Sequence, residues 1–206
     1  MTDGRDGQRV VLVRHGQTDW NRDDRIQGWA PSSLTDRGRE QARSLGRHLA
    51  DRYDFDRLVA SDLRRTRETT ALLRESGVDA DPTFDRAWRE RDFGVYQGLT
   101  RTALFDQHPE YDASSGISAI KARPDGGESL LDARERVLAG WRGLTGGNEG
   151  ETVLVVTHGG PIYLVLGYVR GHDVLTAITS HSQHNCAINE LHVGETVDVV
   201  RHNETV

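Results

Sequence analysis

The 206-residue sequence holds a single cysteine, Cys186, a single methionine and only five prolines. One cysteine excludes an intrachain disulfide and suits a reducing cytoplasm, so Cys186 is expected to be a buried structural thiol. No apolar run approaches the roughly 18 to 20 residues of a membrane span. The opening stretch MTDGRDGQR also lacks the apolar core of a secretory leader. The expectation is a cytoplasmic protein without membrane association. Lysine is nearly missing too: among 26 basic residues only Lys121 is one, so anion contacts would be made by forked guanidinium groups rather than by point charges. Excess positive charge is absent as well. A net charge of −6 argues against a general nucleic-acid binder, whose affinity rests on basic surface that releases counterions.

What is present is ordinary for a globular chain, with 35% hydrophobic and 28% charged residues. Short apolar runs alternate with helical patterns, the signature of parallel strands joined by crossover helices, and the α/β domain is read as spanning residues 1–206. Strands are expected over 9–13, Arg57–Ala60 and Thr152–Thr157, with a late hairpin over 187–193 and 196–202 around Gly194 and Glu195. A first helix should start at Thr35 or Asp36 and turn Ala42, Leu45 and Leu49 to one side. A second should follow Ser61 or Asp62 and stop near Gly77, burying Leu63 and Leu72 or Leu73. A third should begin at Ser129 and carry Val137, Leu138 and Trp141; a fourth should follow Pro161. Trp141 and Tyr163 are expected in the core. Residues 99–127, broken by Pro109, Gly116 and Pro124, read as an insertion over a pocket.

Four segments carry candidate chemistry. Arg14-His15-Gly16 follows the run 10–13, and His158-Gly159-Gly160 follows the run 153–156. Ligands of open α/β sheets bind beyond the carboxyl ends of the strands, so two histidines from opposite ends of the chain can meet there. Flanking arginines make a phosphate the fitting ligand. A histidine nitrogen can attack phosphorus and form a phospho-enzyme, dividing one hard displacement into two easier ones; Gly16 is expected to let the backbone pass close to that phosphate. In the third segment, Ser61 to Thr69, a helix starts straight after a strand, where free N–H groups favour an anion and one arginine could complete a clamp. In the fourth, Trp88-Arg89-Glu90-Arg91-Asp92-Phe93-Gly94, a carboxylate stands where it could donate a proton to a departing alkoxide. Each segment alone also has a plain reading: an exposed Arg-His-Gly loop, an Arg64 and Glu68 pair on a helix face, a surface salt bridge from Glu90 to Arg89 or Arg91, and a core histidine at 158.

Together the four segments, in this order from Val10 to about Ala187, resemble the histidine phosphatase superfamily, also called the phosphoglycerate mutase-like family. The resemblance implies a three-layer α/β/α sandwich with a mostly parallel central sheet. It implies His15 as phosphorylated nucleophile, Arg14, Arg65 and His158 as the clamp on the phosphoryl group, and Glu90 as proton donor. Arg65 is preferred to Arg64 because the family's arginine lies two residues beyond the leucine, here Leu63. Asn21, Gln27, Gly28 and Gly159 match positions that contact phosphate or substrate. No metal and no cofactor is implied, and the partner is a small phosphorylated substrate. Mutases that resemble this core carry paired arginines in a longer insertion, whereas 100–124 offers only Arg101, Lys121 and Arg123, and Gly126-Gly127-Glu128-Ser129 looks like the phosphatase branch. A phosphomonoester hydrolase is therefore expected, with a cofactor-dependent phosphoglycerate mutase and a non-catalytic phospho-ligand binder as alternatives. His181 and His184 raise a metal-dependent reading. Trp20, Trp29, Phe105 and Tyr111 are candidates for a pocket larger than a triose needs. Either a monomer or a homodimer is compatible with the sequence.

Overall fold

The computed structural model describes residues 7–146, 150–180 and 182–206. Six strands, β1 (Gln8–Arg14), β2 (Arg57–Ala60), β3 (Pro82–Phe84), β4 (Thr152–Thr157), β5 (Ile188–Val193) and β6 (Val197–Glu204), form one sheet in the order β3-β2-β4-β1-β5-β6. The first four run parallel, while β5 pairs antiparallel with β1 and β6 with β5. The hairpin appended to a parallel sheet is thus present. The three-residue edge strand β3 was not expected from the sequence: Pro82, Thr83 and Phe84 show neither an apolar run nor alternation long enough to detect.

The helices are α1 (Asp19–Arg22), α2 (Asp36–Ala50), α3 (Arg64–Glu75), α4 (Arg101–Gln107), α5 (Ile117–Lys121), α6 (Leu130–Thr145), α7 (Gly159–Val169) and α8 (Val174–Thr179). Thr35 caps α2 by accepting from Gly38 N, and Ser129 caps α6 in a reciprocal box with Asp132. α7 begins two residues earlier than expected: His158 is its N-cap and Pro161 lies within the first turn, where a missing N–H costs nothing. None of these helices is long and apolar enough to cross a membrane.

Because neighbouring strand residues face opposite ways, β1 and β4 feed two cores. Val11, Val13, Leu154 and Val156 pack against Ala42, Leu45 and Leu49 of α2 and Leu72 and Leu73 of α3. Val10, Leu12, Val153 and Val155 pack against Val137 and Trp141 of α6 and Ile162, Val165 and Leu166 of α7. All eight strand residues are fully buried, each contributing roughly 1.5–3 kcal/mol by leaving water. This is the three-layer sandwich.

The chain leaves β1 toward the α2 face and β4 toward the α7 face. A crevice must therefore open between the carboxyl ends of these adjacent strands, the switch point at which such sheets bind ligands. Residues 99–127 contribute α4, α5 and short 3₁₀ turns, and Leu104 and Tyr111 bury against Ile26 in a small core of their own.

Candidate active site

The sheet register itself assembles the centre. Arg14 pairs with Thr157, so the next residues, His15 and His158, leave the sheet side by side, and His15 N donates to Thr157 O at 3.0 Å. Their rings lie 5.2 Å apart, edge to face. Ala60 pairs with Val156, which brings Ser61 and the start of α3 to the same end.

Arg65 joins the two rings. Its Nε–H is shared between His15 Nε2 (3.3 Å) and His158 Nδ1 (3.1 Å), while Nη1 and Nη2 donate to Ala30 O (3.2 Å) and Gly28 O (2.8 Å). Neighbouring Arg64 instead pairs with Glu68 at 2.9 Å on the exposed side. The pair on the helix face thus forms at Arg64, while Arg65, on another face, points to the histidines. His15 Nδ1 donates to Gly16 O at 2.7 Å, which leaves the lone pair on Nε2. His158 accepts at Nδ1 and so donates from Nε2 to Ser61 Oγ at 2.9 Å. The sequence starts α3 after Ser61 or Asp62. The helix starts at Arg64 without a side-chain cap; Ser61 holds the imidazole, and Asp62 forms a close two-pronged pair with Arg89.

Glu90 is held by backbone. Its Oε2 accepts from Gly160 N (3.1 Å) and its Oε1 from Arg91 N (2.9 Å). The salt bridge to Arg89 or Arg91 does not form, because Arg89 is taken by Asp62 and Arg91 donates to Glu128 O and Ala122 O.

His15, Arg65 and Glu90 open into a cavity of about 370 Å³, lined also by Arg14, Asn21, Gln27, Gly28, Gly159, Arg101 and Tyr163, while His158 is wholly buried and does not line it. Asn21 Oδ1 accepts from Thr18 N, and Gln27 Oε1 accepts from Ser32 Oγ, so each amide nitrogen remains as a donor for an anion. Arg14 donates from Nη1 to Gln183 O, yet its buried Nε has no partner. A guanidinium N–H without an acceptor is costly unless a ligand supplies one. Phe105 and Tyr111 line the cavity; Trp20 does not, and Trp29 lies beneath the guanidinium of Arg89. A larger cavity, about 730 Å³, lies apart from the histidines beside Asp56, Asp81 and Asp85, carboxylates that would repel a phosphate.

One expectation needs correction. Tyr163 is half-buried on the cavity wall, not in the core. Packing by itself already requires glycine at 16: a Cβ there would collide with Gly38 O of α2. Asn185, unassigned from the sequence, donates from Nδ2 to His15 O (2.9 Å) and Asn21 Oδ1 (3.2 Å), tying the two loops together. His181 lies outside the described residues, and His184 faces a separate cavity with Arg37 and Gln41.

Burial, with the charges of Arg65 and Arg14, holds the pKa of His15 well below its ordinary value; burial, then Arg65, does the same to His158. Arg65 is pulled by burial down to about 10, which keeps it cationic at neutral pH. Two neutral histidines in the native state become protonated on unfolding once the pH drops below roughly 6.5. The unfolded chain then binds more protons, so stability declines from that point downward, by up to about 1.4 kcal/mol per pH unit for each ring. Urea denaturation of His158→Gln between pH 6.5 and 5.5 is expected to show a shallower decline than the wild type.

Two positive guanidinium groups, two neutral imidazoles and one carboxylate, at the switch point of a mostly parallel sheet, define a phosphate-handling enzyme of the phosphatase or mutase type. The family model of the histidine phosphatase superfamily (branch 1) matches residues 10–205, and the chain belongs to that superfamily. A 2,3-bisphosphoglycerate-dependent phosphoglycerate mutase of Methylobacterium radiotolerans is 38% identical over 167 residues, 79% of each chain. Phosphoglycerate mutase-like protein 4 of Arabidopsis thaliana is 35% identical over 158 residues, 76% of this chain and 69% of that protein. Among solved structures, Bacillus stearothermophilus YhfR superposes with a TM-score of 0.86 at 27% identity, covering 97% of this chain and 98% of that one. A mycobacterial glucosyl-3-phosphoglycerate phosphatase in complex with VO3 gives a TM-score of 0.80 at 27% identity, with 96% and 99% covered.

Proposed function

We propose that this protein hydrolyses phosphomonoesters of small metabolites through a phosphohistidine on His15, without a metal. The observation that carries this reading is the Nδ1–H bond from His15 to Gly16 O at 2.7 Å, which puts the lone pair on Nε2, where it meets only the longer, 3.3 Å arm of the shared Arg65 Nε–H. Nε2 attacks phosphorus, the N–P bond forms and the ester P–O bond breaks, and a protonated Glu90 gives its proton to the departing oxygen, releasing an alcohol. Water then attacks the phosphohistidine, passes a proton to Glu90, and the N–P bond breaks to release phosphate. Arg14, Arg65, His158 and the amides of Asn21 and Gln27 stabilise the charge spread over the equatorial oxygens. Gly28 and Gly159 let the backbone border the phosphate.

Hydrolysis is favoured over phosphate transfer within one substrate by the insertion. Of its cations only Arg101 lines the cavity; Arg123 pairs with Asp132 at 2.6 Å and Lys121 is exposed. The names of the curated relatives favour the mutase as the second reading. Phosphate release from sugar phosphates, phosphoglycerates, nucleotides and an aryl phosphate, assayed in chelator, separates the two. Release in chelator is expected; activity confined to phosphoglycerate interconversion and dependent on added 2,3-bisphosphoglycerate would establish the mutase, and loss in chelator with recovery in zinc the metal reading.

The site also predicts a role for the absence of a side chain. A Cβ at position 160 would come within 2.1 Å of Glu90 Oε1, so Gly160→Ala must push the carboxylate aside. Turnover of an alkyl phosphate is expected to fall about 100-fold, the scale of a misplacement of an ångström, while the melting temperature changes little.

A further inference from the structure

One arginine outside the cavity lining grips the backbone that carries Glu90. Arg136, on α6, grips Glu128 with both edges of its guanidinium, Nε to Oε1 at 2.8 Å and Nη2 to Oε2 at 2.7 Å. The same fork donates Nη1 to Ala87 O and Arg89 O, both at 2.9 Å, more distantly to Arg86 O, and Nη2 to Glu90 O at 3.2 Å. The Glu128 carboxylate in turn accepts from Asp92 N at 3.1 Å. Residues 86–92 form no strand or α-helix, only a 3₁₀ turn and extended backbone, so their carbonyls have no ladder of their own. Arg136 supplies that ladder, and Trp29 Nε1 adds a second donor to Glu90 O at 2.7 Å.

Arg89 to Asp62 and Thr157 Oγ1 to Trp88 O at 2.7 Å also tie the segment down, but it is Arg136 that spans its carbonyls from 86 to 90. A buried bidentate arginine pair is geometrically strict, and lysine cannot reproduce the planar fork. The pair is largely enclosed, with 19% and 16% of the two side chains exposed.

We infer that Arg136 is a positioning residue for the proton-donating step, acting through the backbone of residues 86–90 and through Glu128, and that it sets the enzyme's ability to cleave esters with poor leaving groups. The inference rests on the hydrolase reading and on the role of Glu90 within it. An alkoxide needs the proton of Glu90 as it departs, whereas a nitrophenolate leaves without one. Loosening the segment should therefore harm alkyl esters far more than aryl esters. Loss of fold would harm both alike.

The test compares p-nitrophenyl phosphate with glycerol phosphate for wild type, Arg136→Met and Arg136→Lys, alongside thermal melts and Leu138→Ala as a destabilised core control. For Arg136→Met, kcat/KM on glycerol phosphate, which reports the phosphoryl transfer to His15 and not the later attack of water, is expected to fall about 100-fold, as for a misplaced catalytic group, and on p-nitrophenyl phosphate less than about threefold. The methionine variant could fail to fold; Arg136→Lys, which keeps the charge but loses the fork, should then show the same split in smaller degree. Equal losses on both substrates in the lysine variant, or the same split in Leu138→Ala, would overturn the inference. Wild-type protein that forms no phosphohistidine from either ester would instead overturn the hydrolase reading on which it rests.

Discussion

His15→Ala is expected to lower phosphate release from every substrate by at least about 10⁴-fold, the scale on which covalent nucleophiles matter. The fold should survive the change. His15 is 2% exposed, but the backbone on either side is fixed independently of the ring: its N donates to Thr157 O and its O accepts from Asn185 Nδ2. Arg65 also keeps its bonds to Ala30 O and Gly28 O. Circular dichroism and phosphate binding, measured beside turnover, separate a chemical loss from a structural one. Residual binding of inorganic phosphate with turnover gone is the expected pattern. Turnover within tenfold of wild type would mean that water, not His15, attacks the ester.

Arg65→Met is the second large effect, with kcat/KM expected to drop about 10³-fold, or about 4 kcal/mol of transition-state stabilisation. The guanidinium is almost wholly buried and donates to both imidazoles, so on the proposed mechanism the variant loses both a charge beside the phosphoryl oxygens and the link between the rings. A pH profile adds a sign. Arg65 is among the causes that hold His15 below its ordinary pKa, so removing it lets the pKa rise. The acidic limb of kcat/KM, where protonation of Nε2 removes the nucleophile, should move to higher pH in the variant. A limb that stays in place or moves lower would show that the charge of Arg65 does not set the protonation of His15.

The fold was legible wherever the burial pattern is strong. The runs 10–13 and 153–156 are apolar on both faces, as strands buried on both sides must be, and their lengths place His15 and His158 one residue beyond the sheet. Strand order was not legible, because nothing in a run of valines states its neighbour. The side-chain roles divide the same way. Periodicity separates Arg64 from Arg65 by about 100° around α3 without saying which faces inward; the structure places Arg65 between the histidines. Glu90 between Arg89 and Arg91 reads as a salt bridge, yet Asp62, 27 residues away, claims Arg89. Ser61 could serve equally as a helix cap or as an acceptor for an imidazole, since both uses need the same hydroxyl. Arg136 and Glu128 lie eight apart, outside any helical pairing rule, and only the path of residues 86–92 makes their carbonyl contacts visible.

The central claim is a phosphoryl group carried on His15 Nε2. The measurement that tests it most directly is rapid quenching of wild-type protein in alkali during turnover of a ³²P-labelled phosphomonoester, followed by peptide mapping. The account predicts acid-labile, alkali-stable label on the peptide that contains His15, appearing no more slowly than turnover and absent from His15→Ala. Full turnover with no label on any peptide, or label on a residue other than His15, would contradict it.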